Sequence, residues 1–443
     1  MKKLTSLAAA LVVGLVLAAS CFAAGPVKIS YIYWGSPAED VAIQKALKDF
    51  ETAHPGINAE PMYLAVTGTG TEYNAKMKAM AASDTLPDLG YFRGDDFDNY
   101  AINGFFLDLT DLAKRDGMIK DYLPTTWLSN GGKIYGAYTA AECQVLYFNK
   151  NVLQDAGVPV PPADYTKGWS WSQFVTYLKK ITTDRNGKHP GDSGFDVKKV
   201  LQWGVRYEVW PFMLSPTVWG NGGAFFSPDG KQTFIDKPET IDAIQKLADL
   251  MYKDQVMPPT TSTTSMAAAQ TQLQTGQLGF YVGGQWELLD FGKKGFPYGI
   301  GALPVHKKPA QMYVSGINVV FAQTKHPAEA WELQKWMMTP DATLGLYSEG
   351  LWMPTKASWY TNPTDLAKWI SNAVHPESFK GAVVDSMKVA QLDPRLINNA
   401  EIWGTYVSPA LDSVWSGKVS AKEALTKAAD ALRKSGLLKG AYN

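Results

Sequence analysis

Between residues 27 and 92 the chain alternates between two apolar periods, and no other feature limits its fold so strongly. VKISYIYW puts Val27, Ile29, Tyr31 and Tyr33 at the period of a strand. The following SPAEDVAIQKALKDFETAHPG carries Val41, Ile43, Ala46, Leu47 and Phe50 at helical spacing. Ser36 with Glu39 three residues later forms a capping box, Pro37 suits the first helical position, and His54-Pro55-Gly56 ends the helix. INAEPMYL reads as a second strand, EYNAKMKAMAAS as a second helix and PDLGYF as a third strand. This β-α-β-α-β order predicts a parallel sheet with right-handed crossovers.

The pattern restarts after residue 142. CQVLYFNKNVL is followed by the helix SWSQFVTYLKKIT, the strand VLQWGVRY, the helix PETIDAIQKLADLMYKD and the strand QLGFYVGG. AQMYVSGINVVFA reads as one more strand, and the rest as mostly helix. HPAEAWELQKWMM has Pro327 near its start, and SAKEALTKAADALRKSG opens on Ser420 and Glu423 as a capping box and stops at Gly436. TTSTTSMAAAQTQ, residues 260 to 272, is a loop leading into a helix. A chain of 443 residues exceeds what one core usually organises, so two α/β domains are expected.

Lys plus Arg and Asp plus Glu both total 42, so no global field draws the chain to nucleic acid or an anionic membrane. A neutral or small partner fits better. The N-terminus has Lys2 and Lys3, an apolar run from Leu7 to Ala19 and small residues around Cys21-Phe22-Ala23, the layout of a cleaved export signal over residues 1–23. The apolar run falls short of the roughly 20 residues of a spanning helix. The protein is therefore expected in the periplasm or on the extracytoplasmic face. Cys21 after Ala18-Ala19-Ser20 resembles a lipoprotein cleavage box without the usual leucine, so a lipid anchor and a free protein both stay open. Cleavage after Cys21 leaves Cys143 as the sole thiol, with no disulfide.

In open α/β sheets ligands lie beyond the carboxyl ends of the strands. Those ends here carry Trp34-Gly35-Ser36, Phe92-Arg93-Gly94-Asp95-Asp96, Tyr207, Glu208 and Trp210, and Gly283-Gly284-Gln285-Trp286. Glycines beside Trp34 and Trp286 would let backbone approach a ligand closely. Flat rings stack on the C–H faces of sugars while carboxylates, amides and guanidinium meet the hydroxyls, so the set suits a neutral carbohydrate. The bland reading of each tryptophan is core packing. His54, His189, His306, His326 and His375 are scattered, and no phosphate loop, dinucleotide fingerprint, serine elbow or metal-ligand spacing occurs, so no catalytic group, metal or cofactor is expected. Paired carboxylates for glycoside hydrolysis can be joined only in space, and Asp95 with Glu142 is the pair to check.

YTAAECQVLYFNKNVL, residues 138 to 153, places Glu142 at the mouth of an apolar strand, where a carboxylate is costly unless solvent or a ligand meets it. AECQVLYFNKNVLQDAGVPVPP resembles the crossover segment of the extracellular solute-binding proteins of ABC sugar transporters, the maltose-binding-protein-like family. GWSWSQFVTYLKKIT, LGFYVGGQW, GIGALPV and SGINVVFA match in the same order. The resemblance implies an α/β, two-lobe periplasmic-binding-protein fold of type II, with a ligand cleft between lobes joined by a hinge of crossing segments. It places lobe 1 at 25–139 plus 312–340 and lobe 2 at 142–309 plus 341–443.

By position, the resemblance makes Glu142 a crossover acid meeting sugar hydroxyls, Asp95 an acid after a first-lobe strand and Trp286 a stacking ring. Trp210 lies near another aromatic position and Trp34 at the first strand end. With Arg93, Tyr207 and Trp352 of SEGLWMPTK these complete the expected contacts, and Trp403 of AEIWGTY is a further ring. Gly35-Ser36 and Phe92 depart from the maltose binder, which puts maltose itself in question. The implied partners are a carbohydrate and an ABC permease, with monomer the family expectation and no nucleic acid. A secreted glycosidase and a receptor for a peptide, polyamine or metal are the competing readings.

Overall fold

A computed structural model describes residues 25–65, 71–94, 97–123, 126–370 and 373–442. The segment expected to direct export, with Cys21, and Asp95 lie outside the described residues. Thirteen strands run in the order β1 (Val27–Gly35), β2 (Ile57–Ala65), β3 (Leu89–Phe92), β4 (Trp127–Asn130), β5 (Lys133–Tyr138), β6 (Gln144–Asn149), β7 (Thr183–Asp184), β8 (Val200–Tyr207), β9 (Leu278–Gly284), β10 (Tyr298–Gly301), β11 (Gln311–Met312), β12 (Ile317–Val320) and β13 (Ala390–Gln391).

They form a first sheet β2-β1-β3-β12-β5-β4, a second sheet β10-β6-β9-β8-β7 and a small pair β11-β13. The first three strands are parallel, as the β-α-β-α-β order predicts, but β12 enters antiparallel between β3 and β5. The sheet is therefore mixed. Its inner strands are buried on both faces, with Tyr31, Ile32 and Tyr33 of β1 inaccessible and every residue of β3 and β12 buried, while the edge strands β2 and β4 are partly exposed.

Helix Pro37–Ala53 carries the expected capping box, Ser36 accepting from the Glu39 N–H and Glu39 from the Ser36 N–H. It buries Ala42, Ile43, Ala46, Leu47 and Phe50, whereas Val41 faces solvent at 66 % exposure. In the second lobe, helix Trp171–Ile181 opens on a capping box of Ser170 and Gln173. Helix Ala421–Ser435 is capped by Ser420 and stopped by Gly436 in the left-handed conformation. Among the described residues no helix is long and apolar enough to cross a membrane.

Three expectations change. AQMYVSGINVVFA is two strands, β11 and β12, in different sheets, separated where Val314 pairs with Glu142. The hairpin β4–β5 was not expected; Gly131 and Gly132, both at positive φ, make its turn. Residues after 341 do not all follow the second lobe. Leu123 donates to the Thr355 carbonyl and Ala357 to that of Asp121, and the helix Leu344–Ser348 packs on the helix Pro37–Ala53 of the first lobe.

Candidate ligand cleft at the hinge

Two paired segments cross at the junction of the sheets. The first, Thr139–Cys143, joins β5 to β6, and the second, Tyr313–Gly316, joins β11 to β12. They pair as extended backbone: Thr139 donates to Gly316 O at 3.2 Å, Glu142 to Val314 O at 2.9 Å and Val314 to Glu142 O at 3.0 Å. A loop of the first lobe around Gly350–Met353 packs against these crossings, taking the Ala141 N–H on Met353 O at 2.8 Å and the Gln285 side-chain amide on Gly350 O at 2.9 Å. Alternation along a strand cannot continue through such a crossing, so the side chains here are aimed by the pairing.

Glu142 is buried at 6 % exposure. Burial pushes its carboxyl well above the usual carboxylate range, the Glu39 charge adds to this, and the Ser315 hydroxyl opposes it. Beside it stands Tyr91, whose hydroxyl accepts from the Gly316 N–H at 3.2 Å and is raised by burial and then by the Glu142 charge. Tyr91 is the middle of a row of rings. Trp34 stacks on it at 5.0 Å and 19°, Trp352 lies 5.4 Å away on a tilted plane, and the Arg93 guanidinium sits 5.4 Å from the Trp34 ring centre. The indole N–H groups of Trp34 and Trp352 are buried donors with no protein acceptor.

The opposite wall comes from β8, β9 and the turn after β9. Glu208 and Glu287 both lie within hydrogen-bond reach of the Tyr281 hydroxyl, at 3.1 and 3.3 Å, and the Gln270 amide donates to Glu287 at 2.8 Å. Burial raises Glu208, with the Arg206 charge opposing. Burial also pushes Glu287 up to about 8 against the Gln270 bond, and the Glu208, Asp290 and Glu39 charges add to the rise. Glu39, at the start of its helix in the first lobe, feels Asp290 across the cleft. Among the described residues no cluster could hold a metal ion.

Trp34, Arg93, Glu142 and Trp352 are thus brought together, and Trp286 stands in the turn Gln285–Glu287 next to Glu287. Tyr207 is not brought there. Alternation on β8 sends Arg206 and Glu208 to the cleft side and Tyr207 into the second lobe's core, where it bonds the Thr217 hydroxyl at 2.9 Å. Trp210 stands apart, 43 % exposed and edge-on to Phe212. Trp403 packs on Phe225 and Phe226, and Phe92 on Tyr73, Tyr100, Phe106 and Phe321, so both are core rings.

The two glycine neighbours also serve differently from the expectation. A Cβ on Gly284 would lie 2.1 Å from the Trp286 ring, and one on Gly35 2.8 Å from the Glu39 carboxyl, so each makes room for a side chain of the protein itself. Glu39, Tyr91, Tyr281 and Glu287 were missed by the sequence reading. Glu39 follows Trp34 by five residues and Glu287 adjoins Trp286, but Glu39 was read only as a cap.

The raised carboxyls set a sign for stability. An unfolded glutamate ionises near 4.5 and folded Glu287 near 8, so between these values the folded state holds a proton that the unfolded chain has lost. Stability of the ligand-free protein should therefore fall as pH rises through that window, by at most about 1.4 kcal/mol per pH unit for each such group. Urea unfolding at about pH 5 to about pH 8 should show this slope, and Glu287→Gln should flatten it. An equal slope in the variant would take Glu287 out of the account.

Two lobes joined by paired crossings, with rings and carboxylates gathered where they meet, have the layout of a two-lobe binding protein of the periplasmic type. The profile of the bacterial extracellular solute-binding proteins matches residues 45–375, and the chain belongs to that family. It is 24 % identical over 262 residues to a probable ABC transporter-binding protein of Deinococcus radiodurans, covering 57 % of this chain and 59 % of that protein. It is 21 % identical over 261 residues to a maltotriose-binding protein of Pyrococcus abyssi, covering 57 % and 51 %. The matches thus span between half and three-fifths of those relatives. Among solved structures, an ABC substrate-binding protein of Listeria monocytogenes in complex with cycloalternan superposes with a TM-score of 0.77 at 22 % identity, covering 93 % of this chain and 99 % of that one.

Proposed function

We propose that this protein is an extracytoplasmic receptor that captures a sugar in the hinge cleft by lobe closure and delivers it to the membrane permease of an ABC transporter. The row Trp34, Tyr91 and Trp352 beside Glu142 carries the reading, because the two buried rings back the partly exposed Trp34 ring next to carboxyl groups that can meet sugar hydroxyls. Arg93, Trp286, Glu39, Glu208 and Glu287 complete the proposed contacts, with Asp95 retained from the sequence. Names among the relatives and neighbours, maltotriose and cycloalternan, make those two the first ligands to try.

The open form dominates without ligand, and a sugar touching both lobes shifts the population by its differential affinity for the closed form. The lobes separate at the paired crossings. A micromolar dissociation constant corresponds to about −8 kcal/mol, within reach of stacked rings and charge-assisted hydrogen bonds. Export, a monomeric state and either a lipid anchor at Cys21 or free release belong to the same reading.

Calorimetric titration with a panel of mono- and oligosaccharides tests it, with the cell contents assayed for hydrolysis afterwards. Tight binding of an intact sugar supports the receptor, and cleavage would make the cleft carboxylates catalytic. In the same assay Trp286→Ala should weaken binding by more than about tenfold. Unchanged affinity in the folded variant would remove Trp286 from the cleft.

A further inference from the structure

Away from the ring wall, one side chain of the second lobe reaches the first. The segment 390–397 leaves the hinge as β13, which pairs with β11 and accepts the Tyr313 N–H on Gln391 O. It is then fixed to the second lobe at three points. The Ser215 hydroxyl donates to Asp393, Leu396 pairs with Ala441 and is buried in the second core, and Ile397 donates to Gly440 O at 2.9 Å.

Arg395 lies inside this anchored stretch and points the other way. Its guanidinium meets Asp98 at 3.2 Å, donates to the Ser129 carbonyl at 2.7 Å and sits 5.8 Å from the Phe97 ring centre. Phe97 and Asp98 begin the helix after β3, and Ser129 lies on β4, so all three partners belong to the first lobe. The pair is half-sheltered, with side-chain exposures of 24 % and 11 %.

We propose that Arg395 is an interlobe clamp: a positioning residue that stabilises the closed form through Asp98, the Ser129 carbonyl and Phe97 without touching the ligand. The inference rests on the reading that the lobes close around a solute. A fork that satisfies a carboxylate and a carbonyl together suits arginine, whereas a lysine ammonium cannot reproduce both contacts and the ring face. Because the clamp bonds protein to protein, its loss lowers the closed population by one factor whatever the ligand.

The test uses the full mature chain as wild type and as Arg395→Gln, Arg395→Lys and Asp98→Asn. Small-angle scattering, with and without the sugar panel, gives the closed fraction, and calorimetry gives affinity; thermal melts confirm folding. Arg395→Gln should lower the closed-to-open ratio about tenfold and weaken every bound sugar by that same factor. Arg395→Lys should recover part of it, and Asp98→Asn combined with Arg395→Gln should cost less than the sum of the two.

A wild type that is open in every condition overturns the clamp. So does an Arg395→Gln chain that closes like the wild type, or one whose losses differ from sugar to sugar. The two readings fail separately. A clamp effect on scattering with no sugar bound would refute sugar capture alone, and sugar binding indifferent to Arg395 would refute the clamp alone.

Discussion

Trp352→Ala should lower the unfolding free energy by about 3–5 kcal/mol, the range for deleting a large buried ring, and should take ligand binding with it. The indole is fully inaccessible in the loop that packs against the crossings, where the Trp352 backbone N–H donates to Leu346 O at 3.0 Å and its ring supports Tyr91. Against a total stability of about 5–15 kcal/mol this is a large share. Trp352→Phe keeps a ring against Tyr91 and removes a buried N–H that has no protein acceptor among the described residues, so it should cost less stability than the alanine variant. Urea unfolding of the two variants, with titration of the ligand found for the wild type, gives both readouts. A loss below about 1 kcal/mol in the alanine variant would mean that the wall relaxes around the gap and that Trp352 does not hold the row together.

Glu142→Gln should weaken sugar binding by about 10- to 100-fold, the range for losing a hydrogen bond to a charged acceptor. The change keeps the shape and the backbone pairing with Val314, so the hinge stays intact. Its effect on the ligand-free protein has the opposite sign. Folded Glu142 is raised above the ordinary carboxylate range by burial and by Glu39, so ionisation above that ordinary range weakens the fold. The amide removes this cost, and the ligand-free variant should be at least as stable as the wild type near neutral pH. Unchanged affinity with raised stability would reduce Glu142 to a hinge-packing residue.

What could be read from the sequence was local. The Ser36–Glu39 box, the Gly436 stop and the alternation of β1 each depend on a few neighbouring residues, and each appears in the structure. The crossover segment was legible because Glu142 stands where an apolar strand should not begin. What failed depended on distant partners. Nothing near Ser315-Gly316 tells a reader that one apolar run divides between two sheets, since the Glu142 strand that divides it lies more than 170 residues away. Tyr207 was assigned to the cleft with Glu208, although a period of two forbids neighbours from sharing a face. Phe92 and Trp403 look like any other ring until their partners are known. The Asn130-Gly131-Gly132 turn was a readable hairpin signal that the reading passed over.

The place of β12 has a consequence for how the chain comes into being. It lies in the middle of the first sheet, between β3 and β5, yet follows β5 only after all five strands of the second sheet. Until Ile317–Val320 emerge, the first sheet is two separate pieces, β2-β1-β3 and β5-β4, with no strand to join them. Pairings this remote in sequence are slow, because loop-closure entropy must be overcome before they form. The first sheet therefore cannot close until Val320 has been added, whereas the strands of the second sheet are all present before then.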